Sequence, residues 1–136
     1  MDGAIDMIGL RPDGLRTIGY WVAKTGDGLP DPRNFIDSEW DTRLRTLASL
    51  YLSSGKTFQS WRGWSTCRIC TMSNGSTCLS DGSFVWPEGL SHYVKVHDVR
   101  MPDEFMSHII NRVKNGEFDL KTVAKNAAFA RSLRRR

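Results

Sequence analysis

Four residues of the chain have the types and spacing to hold a metal ion. Cys67 and Cys70 form a C-x2-C pair, His92 and His97 form an H-x4-H pair, and 21 residues separate the two. Zinc favours tetrahedral sulfur and nitrogen ligation, commonly as a C-x2-C knuckle at a tight turn plus two imidazoles spaced three to five residues apart. Two thiolates balance the charge of Zn²⁺, so a completed site is neutral and tolerates partial burial. A redox dithiol is the competing reading of C-x2-C, but it is expected beside a βαβ pattern, which this sequence lacks. Cys78 and His108 are the reserve ligands, the first read as a small buried hydrophobe and the second as a residue of the following helix.

A structural ion fits this residue set better than a catalytic one. Catalytic zinc keeps three protein ligands and an open position beside a general base. Here four ligands are available, and neither H-E-x-x-H nor the deaminase pattern H-x-E with P-C-x-x-C is present. Glu88, four residues before His92, is the one nearby acid, and its expected place in the first turn of a helix is accounted for by the helix dipole. No catalytic residue is therefore assigned.

The elements that must position these ligands are legible in part. Residues 16–24 are aromatic and β-branched between Asp-Gly and Thr-Gly turns, which predicts a strand. A helix is expected from Asp37 or Ser38, with Trp40, Leu44, Leu47, Ala48 and Tyr51 on one face and Gly55 as a left-handed stop. Arg43 and Arg45 fall off that stripe and are read as solvated. Asp81-Gly82 predicts a two-residue type I′ hairpin turn. Pro87 would then open the histidine helix, ending before Met101-Pro102, where a five-residue step of about 140° obliges His97 to sit in a distorted last turn. A third helix starts at Asp103 and Glu104, carries Phe105, Ile109, Ile110 and Val113, and stops at Asn115-Gly116. A fourth is expected from about Asp119. Trp86 and Tyr93 are placed in the core around the metal; Trp61 and Trp64 are placed beneath the hairpin, with an aromatic-basic surface for a partner as the alternative; and Arg68 is placed at the exposed tip of the knuckle, with donation to a thiolate or to carbonyls of the histidine helix as the alternative.

Length and charge bound the rest. The 136 residues suit one domain, and no run of about 20 apolar residues could span a bilayer. The start, MDGAIDMIGL, lacks the basic and apolar pattern of a signal peptide, so a cytoplasmic protein is expected. The net charge of +4 conceals a division: residues 121–136 hold Lys121, Lys125, Arg131, Arg134, Arg135 and Arg136 without an acid, hence +6, leaving −2 for the remainder. These six are the candidate contacts for nucleic acid or another anionic partner.

The stretch from 50 to 106 resembles a functionally uncharacterised family of small bacterial and bacteriophage zinc-binding proteins, whose core reads YL-x2-G, W-x2-S-x-C-R-x-C and DG-x-x-VWPEGL-x-HYV-x2-H-x-VR-x-P-x-x-F. This chain supplies Tyr51-Leu52, Gly55, Trp61 or Trp64, Cys67-Arg68, Cys70, Asp81-Gly82, Val85 to Leu90, His92-Tyr93-Val94, His97, Val99-Arg100, Pro102 and Phe105. It departs at Thr71, where glycine is expected. The resemblance implies a zinc-binding fold and adds no reaction.

The expected fold is α+β: a small β-hairpin and zinc knuckle packed with about four helices, resembling a stretched ββα zinc finger. A single zinc-stapled domain would cover residues 1–116 and a basic helix or tail residues 117–136. The expected function is a non-catalytic interaction module with structural Zn²⁺ that binds a protein partner, as a regulator or, in a virus, an inhibitor of host machinery. Nucleic-acid binding through the arginine-rich end is the first alternative, and a small zinc hydrolase the second.

Overall fold

The computed structural model describes residues 6–60, 64–119 and 121. It is an α+β fold in which one mixed sheet is covered by helices. The strands are β1 (Ile8–Leu10), β2 (Arg16–Ile18), β3 (Lys56–Ser60), β4 (Thr77–Ser80) and β5 (Phe84–Pro87); the helices are α1 (Thr42–Ser53), α2 (Leu90–His97) and α3 (Asp103–Lys114), with a 3-10 turn at Pro32–Phe35. The sheet order is β1-β2-β5-β4-β3. Only β2 and β5 run parallel; every other neighbouring pair is antiparallel. The sheet is therefore larger than the expected hairpin, and three α-helices stand among the described residues. Most of the expected fourth helix, with its arginines, falls outside them. None of the described helices is long and apolar enough to cross a membrane.

Strand periodicity divides the core. Phe84 and Trp86 of β5 and Leu79 of β4 face the helices, where Tyr51 and Leu52 of α1, Leu90 and Val94 of α2, and Phe105 and Ile109 of α3 meet them. Phe84 and Phe105 meet edge to face, with ring centroids 4.9 Å apart, and the Trp86 indole N–H donates to the Leu52 carbonyl at 3.0 Å. Trp86 thus lies in the core against α1. Met106, absent from the expected stripe of α3, is buried as well. On the opposite face Cys78 and Val85 are buried outside the main cluster, and the Tyr20 hydroxyl donates to Cys78 Sγ at 3.0 Å. Arg11, just past β1, lies over the Phe58 ring of β3 at 5.1 Å, so the sheet curls until its two edges approach on this side.

Several boundaries differ from expectation for identifiable reasons. The strand expected over 16–24 ends at Ile18, because Gly19 takes a φ of +82° where a Cβ would strike Leu90 at 2.6 Å. The chain then leaves the sheet, and Trp21 packs on Tyr93 at 5.6 Å and Phe35 at 6.0 Å. α1 begins later than expected, with Asp41 as the cap accepting from the Arg43 N–H. Arg45 is not a solvated residue of that helix, since its guanidinium is 2.8 Å from Asp98. Gly55 is no left-handed stop; Ser54 caps the helix, and glycine is needed because a Cβ would sit 2.6 Å from Trp86. Pro87 closes β5 instead of opening α2, whose first residue is Leu90. Phe118 packs edge to face on Tyr51 at 4.9 Å, so the core extends at least that far along the chain.

Candidate metal centre

The knuckle is a miniature hairpin. Thr66 and Ser73 form an antiparallel bridge, flanked by hydrogen bonds from Ser65 N–H to the Gly75 carbonyl (2.8 Å) and from Cys67 N–H to the Met72 carbonyl (2.8 Å). At its tip the N–H groups of Ile69 and Cys70 point at Cys67 Sγ, at 3.4 and 3.5 Å. Thr71 follows with a φ of 64°, at the position where glycine is expected.

Two sets of contacts seat this hairpin on α2. The Arg68 N–H donates to the Tyr93 hydroxyl at 2.7 Å, while the Tyr93 hydroxyl also bonds with Cys67. At the base, the Glu88 carboxylate accepts from the N–H groups of Ser76 and Thr77, and Asn74 Nδ2 donates to the Gly89 carbonyl at 3.2 Å. Arg68 is not an exposed tip residue and does not address a thiolate; its guanidinium donates to the backbone carbonyls of Val22, at 2.8 Å, and Thr66. Glu88, outside the helix, acts as a clamp.

α2 supplies the imidazoles. His92 lies in its first turn and His97 is its last residue. Beyond His97 the chain reverses through Asp98 at a φ of 59°, with the N–H groups of Asp98 and Val99 returning to the Tyr93 carbonyl, an arrangement that commonly ends helices. This ending lets two imidazoles five residues apart share one site; their centroids are 4.9 Å apart.

Cys67, Cys70, His92 and His97 are brought together, with their ligand atoms all within 4.8 Å of one another. A tetrahedral ion at ordinary Zn–S and Zn–N distances needs ligand atoms about 3.4–3.8 Å apart, so small side-chain adjustments would complete the site. Cys70 Sγ and His92 Nε2 are already 3.4 Å apart. His97 Nε2 is buried without a hydrogen-bond partner, as an imidazole nitrogen reserved for a metal would be. The four residues therefore fit a metal ion.

The electrostatics suit ligation. Burial alone would raise the Cys67 thiol, but the N–H groups of Cys70 and Ile69 outweigh it and, with the Tyr93 hydroxyl, hold the thiol below its usual value. Burial, followed by the proximity of His97, lowers His92 and favours the neutral imidazole that can donate a lone pair. Burial pushes Tyr93 up to about 12 against the pull of the Arg68 N–H, so its hydroxyl keeps its proton at neutral pH.

The reserve ligands lie elsewhere. Cys78 bonds with Tyr20, and His108 Nε2 is 2.8 Å from Asp81 Oδ2. Trp64 is 71% exposed, not packed beneath a hairpin, and Trp61 is outside the described residues. Of the basic terminus, Lys121 is exposed and Lys125, Arg131, Arg134, Arg135 and Arg136 lie outside the described residues. Sequence spacing missed the hydroxyl of Tyr93; the signal for it is a tyrosine directly after the first histidine ligand, which a helix carries to the other side of the knuckle. No family model matches this chain, and comparisons with curated proteins and with solved structures return no similar protein.

Proposed function

We propose that Cys67, Cys70, His92 and His97 hold one Zn²⁺ as a structural centre, and that the protein is a non-catalytic interaction module for a protein partner. The observation that carries this reading is the convergence of four sulfur and nitrogen ligand atoms, which would fill a tetrahedral ion and leave no position for a substrate. Glu88 supports it from the other side. Its carboxylate is spent on the Ser76 and Thr77 N–H groups and is not aimed at the ligands as a general base. The order of knuckle, antiparallel strand pair and histidine helix supports the comparison with a stretched ββα finger. An ion in such a place ties the 64–75 hairpin to α2, and the function then belongs to the surface it shapes.

Metal analysis with X-ray absorption on anaerobically purified protein tests this. One zinc per chain in an S2N2 shell, lost in both Cys67→Ser and His97→Ala, is the expected result. A water in the shell, or no zinc, would overturn it. The +6 terminus favours a second reading, nucleic-acid binding. Truncation before Lys121 should then abolish a steeply salt-dependent affinity for oligonucleotides, and unchanged affinity removes that reading.

A further inference from the structure

His97 is the ligand whose place depends most on how its helix ends. The two thiols stand on one small hairpin and His92 in the first turn of α2, whereas His97 is the last residue of that helix. Five residues of an ideal helix turn by about 140°, so His97 meets His92 only if the chain leaves the helix in a particular way. It leaves through Asp98, at a φ of 59° and a ψ of 26°. An aspartate tolerates the left-handed region but does not favour it, so its surroundings must hold it there.

Three groups do so. The Asp98 N–H returns to the Tyr93 carbonyl, and the Asp98 carbonyl accepts from the Asp37 N–H at 2.9 Å. The Asp98 carboxylate lies 2.8 Å from the Arg45 guanidinium, which also donates to the Asp37 carbonyl at 3.4 Å. One side chain of α1 thus grips both the end of α2 and the segment that Ile36 and Val99 bridge to it. The pair is partly withdrawn from water, with 21% of the Arg45 side chain and 35% of that of Asp98 exposed. Arg45 Nε is buried without a hydrogen-bond partner, so the carboxylate is what compensates the guanidinium for the water it has lost. Asp37, whose charge also acts on Arg45, has its carboxylate held by Arg100 at 3.0 Å.

We propose that Arg45 is a positioning residue of the metal centre: through Asp98 it fixes the left-handed end of α2 that brings His97 to Cys67, Cys70 and His92. This rests on the reading of those four residues as a zinc site. It adds that retention of the ion depends on how α2 is seated on α1. Without the pair both thiolates and His92 keep their places, and His97 is the ligand that gives way to water.

The test uses full-length protein whose parent form is first verified to hold one zinc in an S2N2 shell. Zinc affinity is measured by competition with a chelator. The shell is read from the visible d–d absorption of the Co²⁺-loaded protein, with His97→Ala as the three-ligand reference. Arg45→Ala and Asp98→Asn are each expected to weaken zinc about tenfold, the lower end of what outer partners of metal ligands contribute. Asparagine tolerates the left-handed region as aspartate does, so Asp98→Asn isolates the charge and decides the matter alone should Arg45→Ala fail to fold. Both spectra should move toward that of His97→Ala, and the double variant should lose no more than either single one. Arg100→Ala, which frees Asp37 but leaves Asp98 paired, should bind as the parent does. Three results would each overturn the proposal: lower urea midpoints with parental affinity and spectrum, losses that multiply in the double variant, or an equal loss in Arg100→Ala. These failures leave the metal reading standing; a parent protein without zinc, or with water in its shell, refutes that reading before any variant is compared.

Discussion

Thr71 concentrates the strain of the knuckle in one residue. A β-branched side chain at a φ of 64° is rare, and holding it there costs on the order of 1–2 kcal/mol. The Thr71 hydroxyl returns little, since its bond to the Cys70 carbonyl, at 2.6 Å, is made at the surface. Thr71→Gly removes the clash while raising the entropy of the unfolded chain, and the net expectation is a gain of about 1 kcal/mol for the metal-loaded protein. Urea unfolding of the two proteins side by side checks it; a loss of stability would show that the turn relies on the threonine. Only the resemblance, which expects glycine after the second cysteine, draws attention to this position; the threonine itself carries no sign of a left-handed residue. Tyr93 was not legible in the same way. Its helical position can be read from the chain, but its bonds to Cys67 and Arg68 exist only because two segments separated in sequence are packed together.

Asp81 shows how one element is fastened to two others. Asp-Gly predicts a two-residue turn with both residues left-handed, whereas the loop spans Asp81 to Ser83 and only Gly82, at a φ of 93°, is left-handed. The aspartate is there for its side chain. One oxygen accepts from the Ser83 and Phe84 N–H groups, each at 2.8 Å, while the other receives the Tyr51 hydroxyl of α1 and His108 of α3, with Arg112 3.8 Å away. Burial of the side chain, 4% exposed, would raise the carboxyl, but the Tyr51 hydroxyl, the two N–H groups and His108 outweigh it and hold the group below its usual value. A carboxyl lowered in the folded state contributes stability that is complete above its unfolded pKa, about 3.9, and is lost as pH falls through the native value. Asp81→Asn should therefore cost about 2 kcal/mol at pH 7 and flatten the acid limb of the stability profile. Unfolding midpoints measured from pH 7 to 3 decide it, and parallel profiles for the two proteins would show that Asp81 does not set that limb. The helices themselves were more legible than the loop: α3 runs from its acidic first turn to Asn115 as its composition predicts.

At the scale of the whole molecule two structures of different cohesion are joined. The sheet and helices share a continuous apolar core, which the 64–75 hairpin joins through Cys67 with Ile69 and Cys70 packed beside it; the rest of the hairpin is held by backbone bonds, by Arg68, Glu88 and Tyr93, and by the proposed ion. Loss of the metal should loosen this hairpin more than the sheet, because β4 and β5 lie inside the sheet and Leu90, Tyr93 and Val94 bury one face of α2. Chelation should accelerate amide exchange in 64–75 and at the end of α2 by about a hundredfold or more, while β5 and α1 keep their protection. Exchange measured with and without chelator checks it; uniform acceleration would mean that the ion supports the whole fold. By itself the chain determined the four candidate ligands that converge, their order and the character of α1 and α3, since residue type, spacing and helical periodicity are local properties. It did not determine the five-stranded order, the parallel contact of β2 with β5, or the place of β3 at the end of the sheet. Strand pairing is a bond between distant segments, selected by which apolar faces can be buried together, and only the assembled core decides it.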